Sequence, residues 1–377
     1  MSIFNSAVVT SCFLLNGMKS VSTDYKFDGV GTNAVLPRYD LIRNAFLLAL
    51  LVSTLAPLVF FVLITGREPL GYSVNGMKTV LLFLGTAHVP ATLFFYTDKD
   101  FASIIRNNKL RYIYMPILVT LVTGVLVAVS GPILLAYIFL IFWTWQAYHY
   151  GRQNVGVYAF VSLTQQATAP QKLEKLTIEL GMLCGILGTF QLLGAAVAPA
   201  YLKNVFLLLF EMGRYGFAVV LVFSLIVYFL NFKNTTPAKS IFFFTLTFFF
   251  LPIYLSDNIN ITFLSYAVAH GLQYIVFTTV ASASLKRDEQ SQRWLYGNAL
   301  KLFGFLLLGG LLFYYGGNIA NLNSGSGFSF GMNFLVGAVL GATMAHFIID
   351  ADAWRLSKAP QKQYMRERFD FIFSFRS

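Results

Sequence analysis

From residue 45 onward the sequence alternates between long apolar runs and short breaks rich in Gly, Pro, Asn and charged residues. The runs span about 16 to 24 residues, close to the roughly 20 that carry an α-helix across a hydrocarbon core. They predict ten membrane-spanning helices: Ala45–Thr65, Met77–Tyr96, Tyr112–Val129, Pro132–His149, Leu176–Val197, Tyr215–Leu230, Ser240–Leu255, Ile261–Ala281, Ala299–Tyr315 and Gly331–Trp354. Ser130-Gly131-Pro132 splits one continuous apolar stretch into a hairpin, because proline belongs in the first turn of a helix. Val155–Leu163 reads as a prolongation of the fourth helix and Val205–Phe210 as an interfacial helix before the sixth.

The ends of the chain follow a different pattern. Ala7–Leu15 is apolar but too short to span, and no charged segment precedes it as a signal peptide would require. Lys19–Asp40 mixes charges with Gly29, Gly31 and Pro37 and reads as loop. The expected organisation is an interfacial arm over residues 1–42, a transmembrane domain over 43–356 and a basic tail over 357–377.

Composition agrees with a membrane protein: 57% of residues are hydrophobic and 11% charged, where a soluble domain carries about 25% charged residues. The net charge of +11 does not point to nucleic acid, since the basic residues are spread along one face of the predicted bundle. Of the 27 Lys and Arg, 23 fall at the termini or in alternate loops, on one side of the ten-span arrangement. By the positive-inside rule that side is cytoplasmic, together with both termini. The fold class expected is an all-α polytopic bundle of about ten helices.

Two cysteines, Cys12 and Cys184, form no metal-binding spacing and read as small apolar residues. P-loop, GxSxG, HExxH and Rossmann patterns are absent, which disfavours nucleotide chemistry and serine hydrolysis. The chemistry that stands out is imidazole. The chain has four histidines, His88, His149, His270 and His346, and each falls in an apolar helix. All four host helices run from outside to inside in the ten-span arrangement. The histidines lie about 9 to 17 residues from the outer ends, a spread of about 12 Å for upright helices. Tilt brings such a spread within one layer.

Polar neighbours accompany three of them at helical spacing. His149 has Gln146 and Gln153; His270 has Gln273 and Tyr274; His346 has Asp350, with Trp354 one turn further on the same face. A metal-bound imidazole gives its other N–H to such a group, so Gln146, Gln153, Gln273 and Asp350 are expected as outer partners. Asp350 and Tyr274 are the candidate catalytic side chains. For His88 the expected acceptor is the carbonyl of Thr86, freed by Pro90. Trp354 reads as an interfacial anchor. Glu179 and Gln191 are further polar groups within the spans, open to a role at the site or in helix packing.

Neutral imidazoles suit iron, copper, zinc and nickel. Four of them hold ferrous iron with positions left for oxygen; paired axial ligation of haem and a zinc site with Asp350 as base are the alternatives. A lipid-soluble substrate entering from the bilayer is expected, since no large soluble domain is present to collect a hydrophilic one. Hydrogen-bonded packing between helices explains any single histidine equally well. A small-molecule transporter stays open too, although no residue-level similarity links the two halves.

His88, His149, His270 and His346, with the spacing His346-x-x-x-Asp350, resemble the scattered intramembrane histidines of the bacterial membrane β-carotene dioxygenases, the family related to bacteriorhodopsin biogenesis. The resemblance implies one non-haem iron held by the four histidines, oxidative cleavage of a carotenoid-like substrate, and residence in a bacterial inner membrane. No helix here carries two histidines and the span count is higher, both departures from that family's pattern.

Overall fold

A computed structural model describes residues 36–65, 85, 87–164, 171–191, 200–255, 259–283, 300–311 and 330–373. The expected interfacial arm up to residue 35, Thr86, Cys12 and the outer parts of several predicted spans lie outside them. The chain divides into two compact units, residues 1–39 and 40–377; everything below concerns the second.

Helices dominate, and no strand occurs among the described residues. Four helices are long and apolar enough to cross a membrane: Asp40–Phe60, Leu110–Val129, Ala200–Asn234 and Phe330–Ala353. Only 22% of the Leu110–Val129 window and 28% of the Ala200–Asn234 window are buried within the protein. Their outward faces carry residues such as Leu118, Leu121, Val219 and Leu230. A soluble monomer does not expose apolar surface on that scale, whereas lipid accepts it without cost. The protein is a helical membrane protein.

The observed helices run past several predicted ends. Pro132–Thr164 continues unbroken through the predicted boundary at His149 and absorbs Val155–Leu163. Ala200–Asn231 fuses the expected interfacial segment Val205–Phe210 with the sixth predicted span. Elsewhere the chain breaks inside a predicted span. The helix carrying His88 leaves helical geometry after Ala91, where Thr92 and Leu93 bond to the carbonyls of Val89 and Pro90. A four-residue helix, Phe94–Thr97, follows. Likewise Pro237–Thr247 stops before the turns at 248–251 that precede Pro252–Leu255, where one helix was expected.

Helix starts follow local chemistry. Gln171 and Glu174 form a reciprocal capping box at the start of Lys172–Gly188, the Gln171 N–H donating to Glu174 Oε2 at 2.9 Å. Thr236 accepts from the Lys239 N–H at 3.2 Å ahead of Pro237.

Among the described residues, the helix pair in most extensive contact is Met115–Val129 against Phe330–Ala353. A Cβ built on Gly337 would lie 2.6 Å from the Thr123 carbonyl oxygen, and one on Gly341 would lie 2.7 Å from the Thr120 Cα. The Gly337-x-x-x-Gly341 stripe therefore lets two backbones touch, the packing that small residues permit when lipid supplies no hydrophobic drive between helices. Five residues beyond Gly341, the same helix presents His346.

The C-terminal stretch, read from sequence as a basic tail, is folded. Ala359–Arg368 and Asp370–Phe373 form short helices whose inner residues, Tyr364, Met365, Arg368, Phe371 and Ile372, are buried.

Candidate metal centre

Four separate segments each bring one imidazole into one buried cluster. His88 comes from helical residues that end at Ala91, His149 from Pro132–Thr164, His270 from Ile259–Ala283 and His346 from Phe330–Ala353. None is more than 7% exposed. Ring centroids are 4.7 Å apart for His88–His270, 4.8 Å for His149–His270, 4.9 Å for His88–His346, 5.5 Å for His149–His346 and 6.3 Å for His270–His346. Four imidazoles sharing one ion through bonds of about 2.1 Å place their centroids roughly 3.2 Å from it, hence roughly 4.6–6.5 Å from one another. The observed spacings fall in that window. Most ring pairs meet edge to face, with His88 and His270 at 84°.

The donor atoms themselves are close. One nitrogen from each of His88, His270 and His346 lies within 4.8 Å of the other two, and the same holds for His149, His346 and an oxygen of Asp350. Both ring nitrogens of His88 and His270, Nε2 of His149 and His346, and Oδ2 of Asp350 are buried with no hydrogen-bond partner. Buried polar atoms are almost always paired, and each orphan costs about 1–3 kcal/mol. Each ring can turn only one nitrogen to a shared centre, so up to five of these atoms, one per histidine and Asp350 Oδ2, can face a common ligand.

Around this centre a polar chain fixes two of the side chains. Thr92 Oγ1 bonds His346 Nδ1 and lies 3.1 Å from Tyr274 Oη. Tyr274 donates to Asp350 Oδ1 at 3.0 Å. Apolar walls complete it: Phe347 stacks on His149 at 4.2 Å between centroids and Tyr150 packs on His270 at 4.3 Å.

The expected outer partners are largely redirected. Gln146 donates to Tyr150 Oη rather than approaching His149. Gln153 donates to the His270 carbonyl at 3.2 Å and to Gln273 Oε1 at 2.8 Å. Gln273 in turn donates to Thr54 at 2.7 Å, away from the imidazole of His270. Gln146 thus bonds within its own helix, while Gln153 and Gln273 bond helix to helix. For His88, the backbone of Gly85 lies beside the ring without a hydrogen bond of normal geometry. Asp350 does reach its expected partner, with Oδ2 3.3 Å from His346 Nε2, and also lies 3.9 Å from His149 Nε2.

Trp354 is not a free interfacial anchor. Its ring packs among Phe95 at 5.4 Å, Phe277 at 5.5 Å and Tyr274 at 6.0 Å, roofing the centre on the side of the C-terminal helices. Glu179 stands apart, bonded to Arg152 at 2.6 Å. Thr92 is the site residue that sequence reasoning passed over. It stands at i+4 from His88, the same spacing that singled out Asp350 after His346.

Comparison with known protein families, characterised proteins and solved structures gave no match.

Proposed function

We propose that this protein is a membrane-embedded, metal-dependent enzyme, with non-haem iron held by His88, His149, His270 and His346, acting as an oxygenase on a lipid-soluble substrate. The observation that carries the reading is the set of unpartnered donor atoms on those four buried side chains. A divalent ion would satisfy one nitrogen of each ring, and an imidazole-rich set favours iron, copper, zinc or nickel over magnesium or calcium. His88, His149, His270 and His346 would hold the ion, and ferrous iron there would supply the oxidising chemistry of dioxygen inside the bilayer. Phe347, Tyr150 and Trp354 give the apolar surroundings that a hydrocarbon-like substrate needs, and a carotenoid of the kind suggested by the sequence resemblance belongs to that class.

Haem fits less well. With His270 and His346 as the two axial ligands, the rings of His88 and His149 stand 4.7–5.5 Å from them, in the space that the macrocycle requires. Transport finds no specific support in this geometry, since the donor atoms lie in one buried cluster.

The full arrangement we propose has ten spans with both termini on the cytoplasmic side of a bacterial inner membrane, as the distribution of Lys and Arg suggests. A tag at either terminus or within 286–293 is then reachable only from the cytoplasm, and one within 321–327 only from outside.

Elemental analysis of detergent-purified protein, with its absorption spectrum, tests the function. About one iron per chain without a Soret band is the expected result. A Soret band makes the protein a haem carrier, and absence of any transition metal after anaerobic purification and reconstitution overturns the metal reading.

A further inference from the structure

We infer that Asp350 is itself a ligand of the metal, the fifth protein donor of the centre, and that Thr92 is the outer partner that orients His346. The inference rests on the metal reading above and extends it. Asp350 was expected to hold His346 by its non-ligating nitrogen, as carboxylates do around bound metals. The geometry is different. His346 Nδ1 is already bonded to Thr92, so Nε2 is the nitrogen left for the ion. Asp350 Oδ2 faces that same nitrogen at 3.3 Å and Nε2 of His149 at 3.9 Å. A group that faces the ligating atom shares the ion with it; it does not stand behind the ring.

The distances agree with shared coordination. Two donors bonded to one ion at about 2.1 Å lie no more than ~4.2 Å apart. Separations of 3.3 and 3.9 Å correspond to angles at the ion of about 105° and about 135° for such bonds. Asp350 is also prepared for the task. Tyr274 donates to Oδ1 at 3.0 Å, which fixes the carboxylate plane, while the buried Oδ2 has no hydrogen-bond partner.

The overlap of the two donor triads points to one ion. His88, His270 and His346 form one triad, and His149, His346 and Asp350 the other. They share His346, which has a single free nitrogen and so cannot serve two ions at once. Five donors then surround one centre, and a six-coordinate ion keeps one position for a small exogenous ligand.

The test uses the full chain in detergent, stripped of metal and titrated with Co(II) alone, read by stoichiometry, affinity and the visible ligand-field spectrum. The wild type is expected to bind one Co(II) with the weak bands of a five- or six-coordinate ion. Asp350→Asn should weaken binding at least 100-fold and change the spectrum; Asp350→Glu should restore part of both. Thr92→Val should weaken binding by roughly tenfold while the spectrum keeps its form. Asp350→Asn that binds Co(II) with the wild-type spectrum overturns the assignment of Asp350 and leaves the four-histidine site standing. A wild type that binds no Co(II) overturns the metal site and this assignment together. A metal-free thermal transition shared by wild type and Asp350→Asn separates lost coordination from lost folding.

Discussion

Asp350 and Asp352 stand two residues apart at the end of one helix, both at least 95% buried, and their surroundings are opposite. Asp352 faces two cations of the chain. Oδ2 accepts from Tyr112 at 3.0 Å and Gln361 at 2.9 Å, while Oδ1 faces the Lys358 ammonium at 2.6 Å and Arg111 at 3.7 Å. Asp98, a short distance along the chain from His88, is met by Arg368 and Tyr364. Asp350 instead faces imidazoles, with Oδ2 3.3 Å from His346 Nε2 and 3.9 Å from His149 Nε2. Burial is the same in both regions, so burial does not identify the functional one. What separates them is whether a Lys or Arg of the chain faces the carboxylate, as at Asp352 and Asp98, or imidazoles and a tyrosine do, as at Asp350.

The largest effect should come from the charge-paired region. Arg368 is 1% exposed, its guanidinium forks onto both oxygens of Asp98 at 3.0–3.1 Å, and it reaches Asp100 at 2.6 Å. Arg368→Ala leaves the buried Asp98 carboxylate with the Tyr364 hydroxyl and the Asp100 N–H but no cation and should destabilise the protein by about 3–5 kcal/mol, seen as a lower unfolding temperature in detergent. An unchanged transition would mean that the C-terminal helices contribute nothing to the fold. The same cluster gives a pH signature. Burial first, and then the Asp98 carboxylate, push the Tyr364 hydroxyl well above the ordinary phenol range, with the Arg368 charge opposing. The unfolded chain releases that proton near pH 10 and the folded one retains it, so the folded state binds more protons there. Stability should therefore be intact below about pH 10 and fall as pH rises beyond it, and Tyr364→Phe should flatten that alkaline limb.

Smaller losses are expected from Asp352 and from the glycine stripe. Asp352→Asn should cost about 1–3 kcal/mol, less than Arg368→Ala because Lys358 and Arg111 are 38% and 33% exposed and can turn to water. Gly341→Ala places a Cβ 2.7 Å from Thr120 Cα and 2.9 Å from the Val119 carbonyl oxygen. Neither backbone atom can move aside, so overpacking should cost about 1–3 kcal/mol. Because His346 lies on the same helix, metal binding should weaken in parallel, measurable by the same Co(II) titration.

The histidines were legible in the sequence because imidazole is rare and expensive in apolar helices, and Asp350 because i,i+4 spacing puts it on the face of His346. Other features needed the third dimension. A threonine in an apolar run usually bonds back to its own helix, as Thr54 does to the Leu50 carbonyl at 2.7 Å. Nothing local distinguishes Thr92, which bonds two other helices once the chain breaks after Ala91. Gln153 and Gln273 sit at helical spacing from histidines, yet find each other across 120 positions of sequence. The C-terminal stretch reads as a solvated basic tail for the same reason, since the carboxylate that buries Arg368 lies 270 positions away. Local periodicity identifies which residues are unusual; it does not assign their partners.

Asp350→Asn in the metal-free protein should have the smallest effect on stability. Asp350 Oδ2 has no hydrogen bond to lose, and the amide oxygen of Asn can still accept from Tyr274, so the variant should be at least as stable as wild type. The difference should appear only when metal is added. At a free metal concentration of 100 times its Kd, wild type gains about 2.7 kcal/mol. A variant that binds 100-fold more weakly then sits at its own Kd and gains about 0.4 kcal/mol. Two unfolding curves that coincide without metal and separate by about 2.3 kcal/mol with it would place Asp350 among groups kept for a ligand. Curves already separated by several kcal/mol in the apo protein would place it with Asp352, as part of the scaffold.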